Sequence, residues 1–124
     1  MVLNDVDSYN HAISVPLKQV VQELIDVLGP TVVAAIGGVN ETRAVMQWLN
    51  GRKPQRPHVL RFALQLARMI ALKEDVTIIR AWFQGTNPGL EDRSPALLLR
   101  SMPLGEIQGP LMAAARTFAA RDDE

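Results

Sequence analysis

Two glycines in succession, Gly37-Gly38, separate two short helix-forming runs, and this corner limits what the rest of the chain can become. Residues 31–36 form an apolar run. Glycine tolerates the left-handed backbone that a sharp helix exit needs, and Asn40 can accept hydrogen bonds from the free amides of a second helix, residues 41–50. On that second helix Val45, Trp48 and Leu49 fall at i, i+3, i+4 and would face a core. Arg43, Gln47 and Asn50 fall at i, i+4, i+7 on another face, polar and of the kind that enters a major groove. The pattern is that of a helix-turn-helix.

Gly51 stops the second helix, and Arg52, Lys53, Arg56 and Arg61 follow with no acid between them. Residues 41–61 therefore carry five basic side chains against the single acid Glu41, a local charge of +4 in a chain whose 13 basic and 13 acidic residues cancel. Such a patch can pair with phosphates. Candidate DNA contacts are Asn40, Thr42, Arg43, Gln47, Asn50, Arg52, Lys53 and Arg56. A short helix pair with a glycine turn also occurs in all-α proteins that never touch DNA, and that reading stays open.

The charge is unevenly placed. Asp5, Asp7, Glu23 and Asp26 stand against Lys18 in the first 29 residues, and the chain ends Asp122-Asp123-Glu124, so a basic middle lies between acidic ends. That asymmetry suits a centre that meets phosphate or an acidic partner, and scattered surface charge explains it as well. A length of 124 residues suits one domain. With no cysteine there is no disulfide, thiolate metal site or thiol nucleophile. No basic start is joined to an apolar run, and no apolar stretch reaches the roughly 20 residues of a membrane span. The expectation is a soluble cytoplasmic protein with no membrane contact.

Along the chain, residues 1–14 have little period and are expected to be largely mobile. Ser14 and Pro16 open an amphipathic helix on Leu17, Val20, Val21, Leu24, Ile25 and Leu28, stopped by Gly29-Pro30. Pro57 opens a long helix to about Lys73, apolar over so much of its circumference that it reads as a buried spine with width to spare for a dimer contact. Asp75 caps a helix over residues 76–84, a loop follows at 85–89, and Ser94-Pro95 starts a helix over 95–101. Gly109-Pro110 is expected to divide the last segment into a short helix from about Leu104 and a longer one from Pro110 to about Arg121. No strand signal survives. The fold class is all-α with six or seven helices: a flexible segment 1–14, a helix-turn-helix half 15–73 and a second helical half 74–124 packed into one unit.

The run from Arg80 to Leu99, RAWFQGTNPGLEDRSPALLL, resembles the toxin-binding domain of the Xre/MbcA/ParS antitoxins, whose pattern is W-h-x-x-x-N-x-x-L-x-G-x-S-P-x-x-h-L with h apolar. The matching residues are Trp82, Phe83, Asn87, Leu90, Ser94, Pro95, Leu98 and Leu99. Residues 31–71 are similar to the family's Xre-like half, and Asp92 stands where the family usually has glycine. The resemblance implies an all-α homodimer that binds and inactivates a RES-type toxin, an NAD consumer, and that in many members represses its own operon through the helix-turn-helix. It also implies that the toxin-binding domain and the carboxy-terminal end cover the toxin's active-site entrance. On this chain that nominates residues 82–99 and 116–124, with Gln84, Thr86, Asn87, Glu91, Asp92, Arg93, Arg116 and Arg121 as contacts. Trp82 and Phe83 read as core.

An enzyme is the weakest reading. Acid–base catalysis needs positioned groups with shifted pKa values, and the chain offers isolated histidines and acids at ends, caps and loops. His58 has no second ligand nearby, so no metal is expected, and Gly37-Gly38 lacks the Lys-Ser/Thr of a phosphate loop. No cofactor is implied. The alternative to an antitoxin is a solitary helical DNA-binding regulator, or an interaction module without a toxin.

Overall fold

The computed structural model describes residues 5–121. Eight α-helices follow one another: α1 Asp5–Ser14, α2 Leu17–Leu28, α3 Pro30–Ile36, α4 Thr42–Leu49, α5 Pro57–Ala71, α6 Val76–Gln84, α7 Pro95–Ser101 and α8 Leu104–Ala120, with a 3-10 turn at Pro88–Leu90. Among the described residues there is no strand, only one bridge between Asn87 and Arg93. The all-α class is as expected, with one or two helices more than the periodicity suggested.

The axis of the molecule is α5. Val59, Leu60, Phe62, Ala63, Leu64, Leu66, Ala67, Met69 and Ile70 are all buried, and Gln65 with them. Helices α1, α2 and α8 pack around it. The spine is therefore as expected, but the width expected to serve a dimer is consumed within the chain. Val20, Val21, Leu24 and Leu28 supply the inner stripe of α2, as their spacing requires.

Residues 5–14, expected to be mobile, form α1; residues 1–4 lie outside the described part. Two distant side chains hold this helix. The Arg61 guanidinium donates to the carbonyls of Ala12 (3.0 Å) and Val15 (2.7 Å), filling acceptors that a helix end leaves open. His11 Nε2 meets the Glu23 carboxylate at 2.9 Å. Neither tie is visible in local periodicity. Ser14, expected to cap α2, instead donates to the His11 carbonyl, and Pro16 occupies the cap position.

The other departure is α8, which runs through Gly109-Pro110 unbroken. Proline removes one bond, to the Glu106 carbonyl, and clashes with the preceding turn. Glu106, Gly109 and Pro110 all lie on the exposed side, so water can take up the freed carbonyl.

Glu23 joins three helices: it takes His11 from α1, Gln19 from its own helix at 3.0 Å, and Arg68 from α5 at 3.1 Å. Burial pushes its pKa up, but His11, Gln19 and Arg68 outweigh it and hold the carboxyl below its ordinary 4.5. A depressed folded-state pKa gives stability that is present above the unfolded value and lost as pH falls through the folded one. The expected result is a melting temperature that declines below about pH 4.5. In Glu23→Gln that acid limb should be shallower and stability at neutral pH lower, as thermal melts across pH would measure.

Candidate nucleic-acid and partner interfaces

Gly37 and Gly38 do different work at the corner between α3 and α4. Gly38 is left-handed, at φ 82°, as expected. Gly37 has ordinary helical angles (φ −74°, ψ −5°), but a Cβ there would sit 2.5 Å from Trp48 Cη2. It is needed for close approach. Val45 and Trp48 are buried and Leu49 partly so, with Arg43, Gln47 and Asn50 on the other side.

Two arginines lock this corner from behind. Arg100, on α7, donates to the carbonyls of Ala35 (3.1 Å) and Val39 (3.0 Å) and to Asn40 Oδ1 (2.8 Å). Arg56 donates to the carbonyls of Ile36 (3.3 Å) and of Arg100 itself (3.1 Å). Both cations satisfy helix-end carbonyls, where a positive charge is favoured by the helix dipole.

This arrangement revises the candidate DNA contacts. Arg56 faces inward and leaves the outer face. Asn40, expected to cap α4, is held by Arg100, and the cap position falls to Glu41 with no side-chain bond. Arg61 is engaged with α1. Five cations in sequence thus become three that point outward, Arg43, Arg52 and Lys53, joined by Thr42, Gln47 and Asn50. Arg43 is 80% exposed, and its 3.7 Å approach to Glu41 in open water is worth little. Arg52 donates to Gln47 Oε1 at 3.4 Å and steadies that amide, whereas Asn50 spends its amide on the Met46 carbonyl. Met46 completes the 43, 46, 47, 50 face and is 41% exposed; its spacing gave it away, and its apolarity hid it.

The second candidate surface is built on the loop before α7. Asn87 accepts from Gly89 N with its side chain, pairs its amide with the Arg93 carbonyl, and receives Leu90 N and Asp92 N on its own carbonyl. Ser94 caps α7 by accepting from Leu97 N, and Leu90 is buried beneath. The loop from 87 to 94 is rigid for these reasons. Within it Glu91 (φ 57°) and Asp92 (φ 60°) are both left-handed, at a cost of order 1 kcal/mol each for a side chain with a Cβ. Asp92→Gly should therefore stabilise the fold by about 0.5–1 kcal/mol in denaturant titrations.

Beside this loop is a groove of about 830 Å³ between α6 and α8. Trp82 and Phe118 form its aromatic wall, and Ala81, Pro88, Pro110 and Ala114 its apolar floor and rim. Trp82 is buried, as expected, and packs edge-on to Phe83 at 5.1 Å; its Nε1 is enclosed without a hydrogen-bond partner. Arg121 closes one end, stacked 3.9 Å over Phe118 and paired with Glu74 at 3.0 Å. Of the nominated contacts, Thr86, Asn87 and Arg121 line the groove. Gln84, Glu91, Asp92, Arg93 and Arg116 are exposed around it or on the adjoining loop and helix, Arg93 bridging to the Leu90 carbonyl and lying 3.7 Å from Glu91.

No family model, curated protein or solved structure matches the chain. Its reading rests on these two surfaces. Sequence reasoning missed the groove's second wall, Ala113, Ala114 and Thr117, whose signal was a last helix apolar on more than its inner face. It also missed Arg100, which nothing near it in the chain links to the corner. Among the described residues no cluster of His, Asp or Glu has the makings of a metal site, and no helix is long and apolar enough to cross a membrane.

Proposed function

We propose that the chain is the antitoxin of a type II toxin–antitoxin pair, a homodimer that binds and neutralises a RES-type, NAD-consuming toxin and represses its own operon through the outer face of α4. One observation carries the reading. The two segments nominated by the resemblance, 82–99 and 116–124, lie apart in sequence, yet Trp82 and residues 86–89 of the first and Thr117, Phe118 and Arg121 of the second line one groove between α6 and α8. A concave apolar surface beside a rigid polar loop is what a protein partner can dock on at little ordering cost.

The DNA part is supported by Arg43, Gln47, Asn50, Arg52 and Lys53 standing outward on or just after the second helix of the corner, with Trp48 anchoring its inside. Arginine pairs with guanine edges and glutamine with adenine, while Arg52 and Lys53 suit phosphates. The inward turn of Arg56 removes one phosphate contact and favours a second reading, an interaction module that keeps the fold without binding DNA.

Co-expression with the toxin encoded in the neighbouring reading frame tests the first part. The chain should rescue growth, and replacing residues 87–94 with a Gly/Ser loop should abolish rescue; persistent rescue would show that the loop is not the contact. On the upstream operator, Arg43→Ala should relax sequence preference. Arg52→Ala and Lys53→Ala should each flatten the log–log salt slope by about one unit. Retardation unchanged in all three removes the outer face of α4 from the reading, and no retardation by the wild-type chain leaves the interaction module.

A further inference from the structure

We infer that Met46 is the residue of α4 that selects thymine, by laying its thioether chain against the thymine 5-methyl group in the major groove. A helix turns by about 100° per residue, so Thr42, Met46, Asn50 and Arg43 stand side by side, in that order, on one arc of α4 and its cap. All four are exposed, and Val45 and Trp48 are buried on the other side. Met46 and Asn50 thus hold the middle of the arc. Asn50 spends its amide on the Met46 carbonyl, and Gln47, at the edge, is half-buried with its Oε1 taken by Arg52. Met46 is 41% exposed, and over residues 30–56 no other large apolar side chain stands so open. A face read only by its polar groups leaves its own centre without a role.

The charge around the arc names the class of partner. Arg43 beside Met46, and Arg52 and Lys53 just beyond the helix, are exposed against the single acid Glu41, which suits phosphates flanking a groove and not an apolar protein surface. Between those phosphates the base pairs show donors and acceptors to the major groove, and the thymine methyl is the one apolar group among them. Methionine carries no strong donor or acceptor. Set over a G·C pair it would cover polar atoms with nothing to bond them, whereas over thymine it takes a methyl out of water. Its unbranched, polarizable chain can bend to reach that methyl without any change in α4. Met46 therefore selects twice, by attraction to thymine and by penalty elsewhere, a preference that Arg43 cannot supply.

The inference rests on the DNA-binding part of the reading above, and its test needs no operator in advance. Duplexes that the full chain selects from a randomised pool are the probe. Each of their thymidines is replaced in turn by deoxyuridine, which deletes one methyl and keeps every hydrogen-bonding group. At one thymidine in each site that a chain occupies, wild-type affinity in retardation assays should fall about fourfold, the worth of one buried methyl. Met46→Ala cuts the side chain back to Cβ at an exposed helical position where alanine is favoured, so it should fold as before. It should bind the thymidine and deoxyuridine forms equally at that position. Lys53→Ala, which weakens binding to every duplex, should still tell them apart. A wild-type chain indifferent to every deoxyuridine, or a Met46→Ala chain that keeps the full penalty, overturns the assignment and leaves the outer face of α4 as a DNA surface. A pool from which the wild-type chain enriches no duplex overturns both, while growth rescue still judges the antitoxin reading.

Discussion

Trp48→Ala is expected to cost about 3–5 kcal/mol, the range for emptying a large aromatic site in a core. Gly37→Ala, which adds a single carbon, should cost about 1–3 kcal/mol, because that carbon would fall 2.5 Å from the Trp48 ring. The two losses should not add. In a Trp48→Leu background the space beside Gly37 opens, and the further cost of Gly37→Ala should shrink, giving a coupling that urea titrations of the four proteins would measure. If Gly37→Ala costs the same with and without the indole, backbone freedom and not close approach is what the first glycine provides.

Arg100→Ala should also be damaging, by about 1–3 kcal/mol, since one guanidinium serves the Ala35 and Val39 carbonyls and Asn40 Oδ1 at once, and of the two carbonyls only that of Ala35 keeps a second donor, Gly38 N. Arg100→Lys keeps the charge but cannot reproduce the planar fork, so it should recover only part of the loss. The functional readout separates this from simple instability. On the DNA-binding reading proposed above, Arg100→Ala held well below its melting temperature should bind operator DNA more weakly, although Arg100 faces away from the outer side of α4. Unaltered operator binding would mean that the corner holds its shape without help from α7.

Most of the helices were legible because their apolar residues repeat at the helical period and proline, glycine, serine and aspartate punctuate them. Leu17 to Leu28, the span opened by Pro57, the Asp75 cap and the Ser94-Pro95 start all follow from local chemistry. So does the sidedness of α4, where Trp48 could be told from Arg43 by spacing alone. What escaped was set by partners far along the chain. Arg56, Arg61 and Arg100 read as surface cations, yet each ends on backbone carbonyls, the farthest 65 residues away. No periodicity encodes such a bond. Helix α1 was missed for the same reason, since Arg61 and Glu23 secure it from other helices. The polar loop at 87–94 could be foreseen from Asn87-Pro88 and Ser94-Pro95, but the groove beside it needs α6 and α8 to be placed in space.

Arg100 has a consequence for how the molecule can be divided. By sequence the corner belongs to a unit ending near residue 73, and α7 to what comes after. Yet the acceptors exposed where α3 stops are filled from α7, while Arg56 returns the favour at the end of α7 itself. A fragment cut between these stretches would leave α4 hanging on a frayed joint. The smallest piece able to present α4 in its proper attitude must include residue 100.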